Sequence, residues 1–272
     1  MVAIKHVLNS ALAAAAGNSI VPQIDIIRTP LTQCDVSNDA GRLDFTPINN
    51  QIAPPSNLTF NFVGLGFGVQ NYTCTQNNNF TNVGAVAELI DVSCLINSTR
   101  FDQLPQLIFD SWNTTDEATS IQDFIAASNS FNPPDILAQH FFVPNPSGAG
   151  SVSPEWNFES LGNRKFQNQP NAFVVAIGKA SIPAPNKVQD VNWLDVVNIG
   201  GQAGGQIADE VLRTSTVGGQ PPPTCEFGQS QDISVKYASF YGACLLPAYQ
   251  LRFLSLIISC AAFFGGSLGG AE

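Results

Sequence analysis

Residues 58–74, LTFNFVGLGFGVQNYTC, are the most strand-like segment of the chain. Apolar and polar side chains alternate from Leu58 to Phe62, which is the period-2 pattern of a half-buried strand. From Val63 onward the apolar residues have the other parity, and Gly64, Gly66 and Gly68 share the opposite face. Because side chains alternate strictly along a regular strand, this change predicts a bulge or a sharp bend. We expect aromatic packing on the glycine face, with a ligand floor as the alternative.

Further strand-like segments recur between turns rich in proline and glycine. The run at 83–96 is ambiguous between strand and helix, and its β-branched residues favour a strand. The other predicted strands are 136–143, 172–178, 191–199, 209–217 and 232–241. Only 12% of the residues are charged, while 22 are glycine and 18 proline, which suits a loop-rich β protein better than a helical bundle. The predicted fold is all-β, a mainly antiparallel sandwich or barrel.

One short helical insertion is expected at 114–130. Thr114 or Thr115 would cap it, since threonine satisfies free backbone N–H groups at a helix start. The predicted buried stripe consists of Ile121, Phe124 and Ile125.

Both ends of the chain differ from the single β domain predicted at 18–241, which begins with an extended arm. Residues 1–17 have the lysine, apolar run and small residues of a secretory signal peptide. The tail at 242–272 is apolar over nearly a membrane width. A membrane or lipid anchor, an extra buried element and a gene-model artefact are its three interpretations. The predicted location is therefore extracellular, with a tail-anchored cell-surface protein as the alternative.

Glycosylation motifs and cysteines support export from the cell. The motif N-x-Ser/Thr occurs at Asn57, Asn71, Asn79, Asn97 and Asn113. The mature chain would keep one histidine and has no C-x-x-C, which argues against a zinc site. We therefore predict no metal site and expect disulfides Cys74–Cys94 and Cys34–Cys225.

Seven segments in a fixed order resemble a known family. They are GVQNYTC, AVAELIDVSC, AQHFFV, SPEWNF, IPAPNKVQDVNWLDVVN, RTSTVGGQPPPTC and ISVKYASFY, within about residues 34–241. The combination is similar to a secreted domain-of-unknown-function family that is common in filamentous fungi and has bacterial and plant relatives. Many of its fungal members are labelled malate dehydrogenase. The resemblance implies no catalytic residues.

The residues argue against that label and against nucleic acid as a partner. A dinucleotide site needs a third glycine where this chain has Val69, and a helix start where strand-like sequence continues towards Cys74. No nucleotide or other cofactor is therefore expected. The formal net charge of −10 disfavours contact with a phosphate backbone.

Four residues are candidates for a ligand-binding site. They are His140, Glu155, Trp156 and Trp193. His140 is either a general base or ligand-binding residue, or a hydrogen-bonded residue on a strand. Glu155 beside Trp156 suits a sugar-binding or acid–base site, and the alternative is a strand edge with a buried tryptophan.

These observations predict a secreted, disulfide-linked glycoprotein that binds a ligand or associates with the cell wall or surface. The expected partner is wall carbohydrate or a small molecule, and a membrane only through the tail. The alternatives are a wall-active hydrolase using Glu155 and, least favoured, malate dehydrogenase activity. Catalysis stays open, and a non-catalytic role is preferred.

Overall fold

The structure is a computed structural model. Its described residues are 34–39, 42–43, 52, 59–128, 136–146, 148, 152–159, 166 and 169–245, with backbone alone for 125–128 and 244–245. The predicted signal peptide and residues 246–272 of the predicted tail lie outside them, as do Asn57 and Cys260.

Eight antiparallel strands form a closed barrel in simple sequence order. The strands are β1 (Thr59–Cys74), β2 (Phe80–Asp91), β3 (Ile136–Pro144), β4 (Val152–Asn157), β5 (Phe173–Ile182), β6 (Trp193–Asn198), β7 (Glu210–Gly218) and β8 (Ile233–Leu245). Each strand pairs with the next, and β8 returns to pair with β1. Of the two predicted architectures, the protein therefore adopts the barrel. Residues 242–245 of the predicted tail belong to β8, where Leu245 pairs with Thr59.

The predicted irregularity in the first strand is confirmed. The register between β1 and β8 shifts between Phe60 and Phe62. Phe62 then packs with one buried cluster, whereas Phe60 and Val63 pack with another. Both faces of β1 are buried because one lines the barrel interior and the other packs against the helices outside it.

The glycine face of β1 lies inside the barrel, and at Gly66 it makes room for a tyrosine ring. Gly64, Gly66 and Gly68 stand directly opposite Tyr241, Ser239 and Tyr237 of β8. A Cβ atom at Gly66 would lie 2.5 Å from Cε2 of Tyr241, so the ring occupies the space that the glycine leaves. The aromatic packing expected on this face is confirmed.

The described residues between β2 and β3 contain two α-helices rather than one: α1 (Leu104–Asn113) and α2 (Ile121–Ser128). The predicted start at Thr114 or Thr115 is wrong, because the first helix ends at Asn113 and Thr114 follows it as the C-cap residue, where its hydroxyl donates to the Ser111 carbonyl at 2.8 Å. The second helix begins after Ser120, whose Oγ accepts the N–H of Asp123 at 3.0 Å. Serine with an acidic residue three positions later is a stronger helix start than threonine alone. A one-turn helix, α3 (Gly201–Gly204), lies between β6 and β7.

The helices pack on the outer face of β1. The Trp112 indole N–H donates to the carbonyl of Gly68 at 2.9 Å. The rings of Phe67 and Phe124 meet with centroids 5.5 Å apart. Ile121 and Phe124 are buried as predicted, while the side chain of Ile125 lies outside the described residues.

The predicted disulfide pairing is wrong. Cys34 pairs with Cys94, with Cα atoms 5.0 Å apart, and Cys74 pairs with Cys225 at 6.0 Å. The β1–β2 hairpin explains this, since Cys74 is at its turn end whereas Gly64 pairs with Asp91 at the other end. Ten residues of strand place Cys74 and Cys94 about 30 Å apart. Cys225 instead lies against the hairpin turn, where its N–H donates to the Asn78 carbonyl at 3.0 Å.

Candidate ligand site inside the barrel

Aromatic rings from opposite walls meet inside the barrel. The imidazole of His140 on β3 stacks on Trp156 of β4, with centroids 4.5 Å apart and planes inclined by 10°. Tyr241 of β8 lies 5.8 Å from each of these rings. Because β8 is not a neighbour of β3 or β4, these contacts cross the interior and show that all three side chains point inward.

His140 is neutral and has a defined tautomer. Its Nδ1 is 2.8 Å from the Glu155 carbonyl oxygen, which can only accept, so Nδ1 carries the proton. Burial lowers the pKa of His140 to about 4. The hydrogen bond to Glu155 raises this pKa, and the positive charge of Arg213 lowers it further. The ring therefore offers an acceptor at Nε2 at neutral pH.

Two tyrosine hydroxyls form a pair beside the stacked rings. The oxygens of Tyr237 and Tyr241 are 2.8 Å apart. Burial and the nearby Tyr241 raise the pKa of Tyr237 well above its usual value, so its hydroxyl stays protonated. The pair can donate one hydrogen bond and accept others.

Arg213 places a positive charge against this interior. It stands opposite Tyr241 in the β7–β8 register and is 9% exposed. Its Nε and Nη2 donate to one carbonyl, that of Asn192, at 3.2 and 2.8 Å. Within the described part of the chain, no carboxylate lies within ion-pair distance of its guanidinium.

Three buried polar groups on the inner face have no hydrogen-bond partner among the described residues. They are the Ser239 hydroxyl, on a residue with 0% exposure, the Trp156 indole N–H, on a residue with 4%, and Nε2 of Gln70, on a residue also at 4%. Buried polar groups are nearly always hydrogen-bonded in folded proteins, because desolvation without compensation is costly. These positions can therefore bind polar atoms of a guest molecule or of water.

The four candidate residues do not form one site. His140 and Trp156 meet inside the barrel, whereas Glu155 points outward from the same strand. Burial, partly opposed by a hydrogen bond from Asn157, raises the pKa of Glu155. Trp193 is 4% exposed and packs in the cluster outside the barrel. Its indole N–H also lacks a partner among the described residues.

Sequence reasoning missed four members of the interior set, namely Arg213, Tyr237, Ser239 and Tyr241. The strict alternation of 232–241 does place Tyr237, Ser239 and Tyr241 on one face. Arg213 follows two apolar residues, Val211 and Leu212, in β7, and a charged residue next to them was the available indication.

A charged cluster lies on the outer face. The Lys179 ammonium is 3.0 Å from Asp195 and 2.7 Å from Glu210, and both carboxylates are almost fully buried. Burial and a hydrogen bond with Asp195 raise the pKa of Glu210 to about 7, against the effect of Lys179. Glu210 thus binds a proton more tightly in the folded state, and its contribution to stability declines as the pH rises from 4.5 to about 7. Among the described residues no group of three or more His, Cys, Asp or Glu side chains forms a metal site.

The contribution of His140 to the free energy of unfolding has the opposite pH dependence, and this can be tested. Its folded pKa of about 4 lies below the ordinary value of 6.5, so the unfolded chain binds the proton more tightly. We expect this residue to cost about 2 kcal/mol of unfolding free energy between pH 8 and pH 5. Urea unfolding of wild type and His140→Gln at both pH values measures this, because the glutamine amide can still donate to Glu155. Equal pH slopes in the two proteins would contradict the assignment, since the Glu210 contribution is common to both.

The fold and site define a class of protein: an antiparallel eight-stranded barrel with two disulfides and a polar, aromatic interior. The chain belongs to the family described as protein of unknown function (DUF3455), whose model matches residues 54–242. This match confirms the resemblance to a domain-of-unknown-function family. No curated protein and no solved structure matches the chain.

The disulfides indicate an oxidising environment. Among the described residues, no helix combines the length and apolar character that a bilayer crossing requires. Asn79, Asn97 and Asn113 are exposed, while Asn71 is half-buried in β1, where its side chain accepts a hydrogen bond from Ser234 at 2.8 Å. Glycosylation at these positions stays a prediction.

Proposed function

We propose that this protein is an extracellular binding protein for a small molecule and that its ligand occupies the barrel interior. The observation that carries the proposal is the set of unpartnered polar groups on the inner face, which includes Ser239 Oγ and Trp156 Nε1. Binding sites combine an apolar aromatic lining with a few polar groups that fix the ligand's orientation. The stacked His140 and Trp156 rings supply the lining, and the two tyrosine hydroxyls supply further polar contacts.

The location of the aromatic residues supports a small guest rather than a polymer on this surface. Trp156 is 4% exposed, so its ring is covered from outside and has no open face for a polysaccharide chain. Glu155 lies on the outer face, away from the ring of Trp156. A hydrolase site that uses these two residues together therefore has less support.

Wall carbohydrate is the second candidate ligand, at a different place. A groove of about 1050 Å³ runs along the outside of the barrel between α1 and the loops at 186–190 and 219–222. Its lining includes Gln106, Phe109, Asn113, Gln189 and Gln220. Amide side chains next to an aromatic edge suit hydroxyl-rich sugars.

One experiment separates the two sites. A panel of small aromatic and hydroxylated molecules, together with gluco-oligosaccharides, is tested for an increase in melting temperature of the disulfide-bonded protein, since binding stabilises by mass action. We expect small-molecule hits whose affinity drops about tenfold in Trp156→Phe, which keeps a ring but removes the indole N–H. Gln106→Ala, in the outer groove, is the control and should leave these affinities unchanged.

The opposite pattern would refute the barrel site. If a ligand binds Trp156→Phe as tightly as wild type but no longer binds Gln106→Ala, the binding site is the outer groove. A panel with no hit among the small molecules would remove the proposal for this class of ligand. Near-ultraviolet circular dichroism establishes that each variant keeps the native packing.

A further inference from the structure

Arg213 is a buried cation that has no counter-ion among the described residues, although the protein is strongly acidic. The chain has 21 acidic and 11 basic residues, yet no carboxylate among the described residues pairs with this guanidinium. Lys and Arg are rarely buried without a partner, because removing a charge from water is costly. An anion bound to the guanidinium of Arg213 would compensate for the cost of burying its charge.

The hydrogen bonds of Arg213 leave most of its donor capacity unused. A guanidinium has five N–H groups. Two of them are bonded to the Asn192 carbonyl, and the others make no hydrogen bond with the described residues. A planar guanidinium matches the two oxygens of a carboxylate, which can then accept two parallel hydrogen bonds.

The neighbours of Arg213 suit an anionic guest. Arg213 stands opposite Tyr241 in the β7–β8 register, and the Tyr241 ring lies 5.8 Å from the ring of His140. His140 is neutral and Tyr237 is protonated, so neither adds a negative charge that would repel an anion. The acidic side chains of Asp195 and Glu210, which pair with Lys179, are on the outer face of the wall.

We propose that Arg213 binds the carboxylate of a small organic acid inside the barrel, with the aromatic residues contacting the body of the acid. This inference rests on the proposed function and names the chemical class of its ligand. The net charge of −10 disfavours unspecific binding of anions to the surface, so saturable binding of an acid would report on a specific site.

The test uses two probes that differ in charge and hardly in shape, phenylacetate and phenylacetamide. Their affinities for the disulfide-bonded protein are measured by isothermal titration calorimetry. We expect wild type to bind phenylacetate at least about tenfold more tightly than the amide, because hydrogen bonds to charged groups are the stronger ones. Arg213→Gln should abolish this preference. Arg213→Lys should keep part of it, since lysine retains the charge but lacks the planar guanidinium that donates two parallel hydrogen bonds.

The outcomes distinguish this inference from the proposal on which it rests. A wild-type protein that binds both probes equally, or an Arg213→Gln variant that still prefers the acid, overturns the anion site. If neither probe binds but uncharged small molecules do so in a Trp156-dependent manner, the anion site fails and the barrel remains a binding site. If no small molecule binds at all, both fail. The wild-type comparison does not depend on the folding of any variant.

Discussion

Removing the Cys74–Cys225 disulfide should lower the free energy of unfolding by about 5 kcal/mol in the chain-entropy model. The bond joins residues 151 positions apart, and a cross-link that closes a long loop restricts the unfolded chain most. It also holds the loop containing Cys225 against the β1–β2 turn, where Phe227 donates its N–H to Asn78 at 2.9 Å. For a single domain this loss is a large part of the total stability.

The measurement is urea unfolding of the Cys74→Ser/Cys225→Ser double variant. Its matched control, Cys34→Ser/Cys94→Ser, opens a loop of 60 residues and should cost about 4 kcal/mol. Thiol counting under denaturing conditions tests the pairing itself. The first double variant should have no more free thiols than wild type, whereas two additional thiols would show that Cys34 and Cys94 are not bonded to each other.

Replacing Gly66 with alanine should destabilise the protein by about 3 kcal/mol, at the upper end of the range for overpacking. The added methyl would lie 2.5 and 2.9 Å from two ring carbons of Tyr241. That ring is buried, contacts His140 and Trp156, and has its hydroxyl paired with Tyr237. It has little freedom to move, so the backbone of β1 must shift instead.

The chain provides a matched control on β5. A Cβ atom at Gly178 meets nothing within 4 Å, so Gly178→Ala should be neutral or slightly stabilising. A double-mutant cycle with Tyr241→Leu attributes the effect to the contact, because the cost of alanine at 66 should fall below about 1 kcal/mol once the ring is absent. If both glycine substitutions lower the free energy of unfolding equally, backbone entropy rather than the tyrosine ring determines the effect.

The interior contains hydrogen-bonding groups because β1 contributes glycines to the inner face and β8 contributes tyrosines. Gly66 on the inner face of β1 gives up side-chain volume, and the ring of Tyr241 on β8 fills it. Tyr241 stands opposite Arg213, its ring lies 5.8 Å from that of His140, and its hydroxyl pairs with that of Tyr237. A barrel filled only by branched aliphatic residues would offer no hydrogen bonds to a guest. The outer wall of β1 is the purely apolar side and supports the helices.

Prediction from sequence succeeded where a local pattern decides the structure. The segment at 232–241 alternates strictly and forms β8, and the parity change in 58–74 corresponds to the register shift between Phe60 and Phe62. Helix α1 was missed, because no N-terminal cap side chain marks its start at Leu104. The disulfides were assigned from sequence spacing, and the length of the β1–β2 hairpin excludes that pairing.

By itself, the sequence determined a disulfide-rich antiparallel β protein, since strand periodicity, turn residues and cysteine content act over short distances along the chain. Only the tertiary structure decided that the strands close into a barrel and that Arg213, on β7, and His140, on β3, face one interior. These two residues are separated by 73 positions, the difference between 213 and 140. No local pattern encodes their approach, because it depends on how far each strand is displaced along its neighbour around the closed sheet.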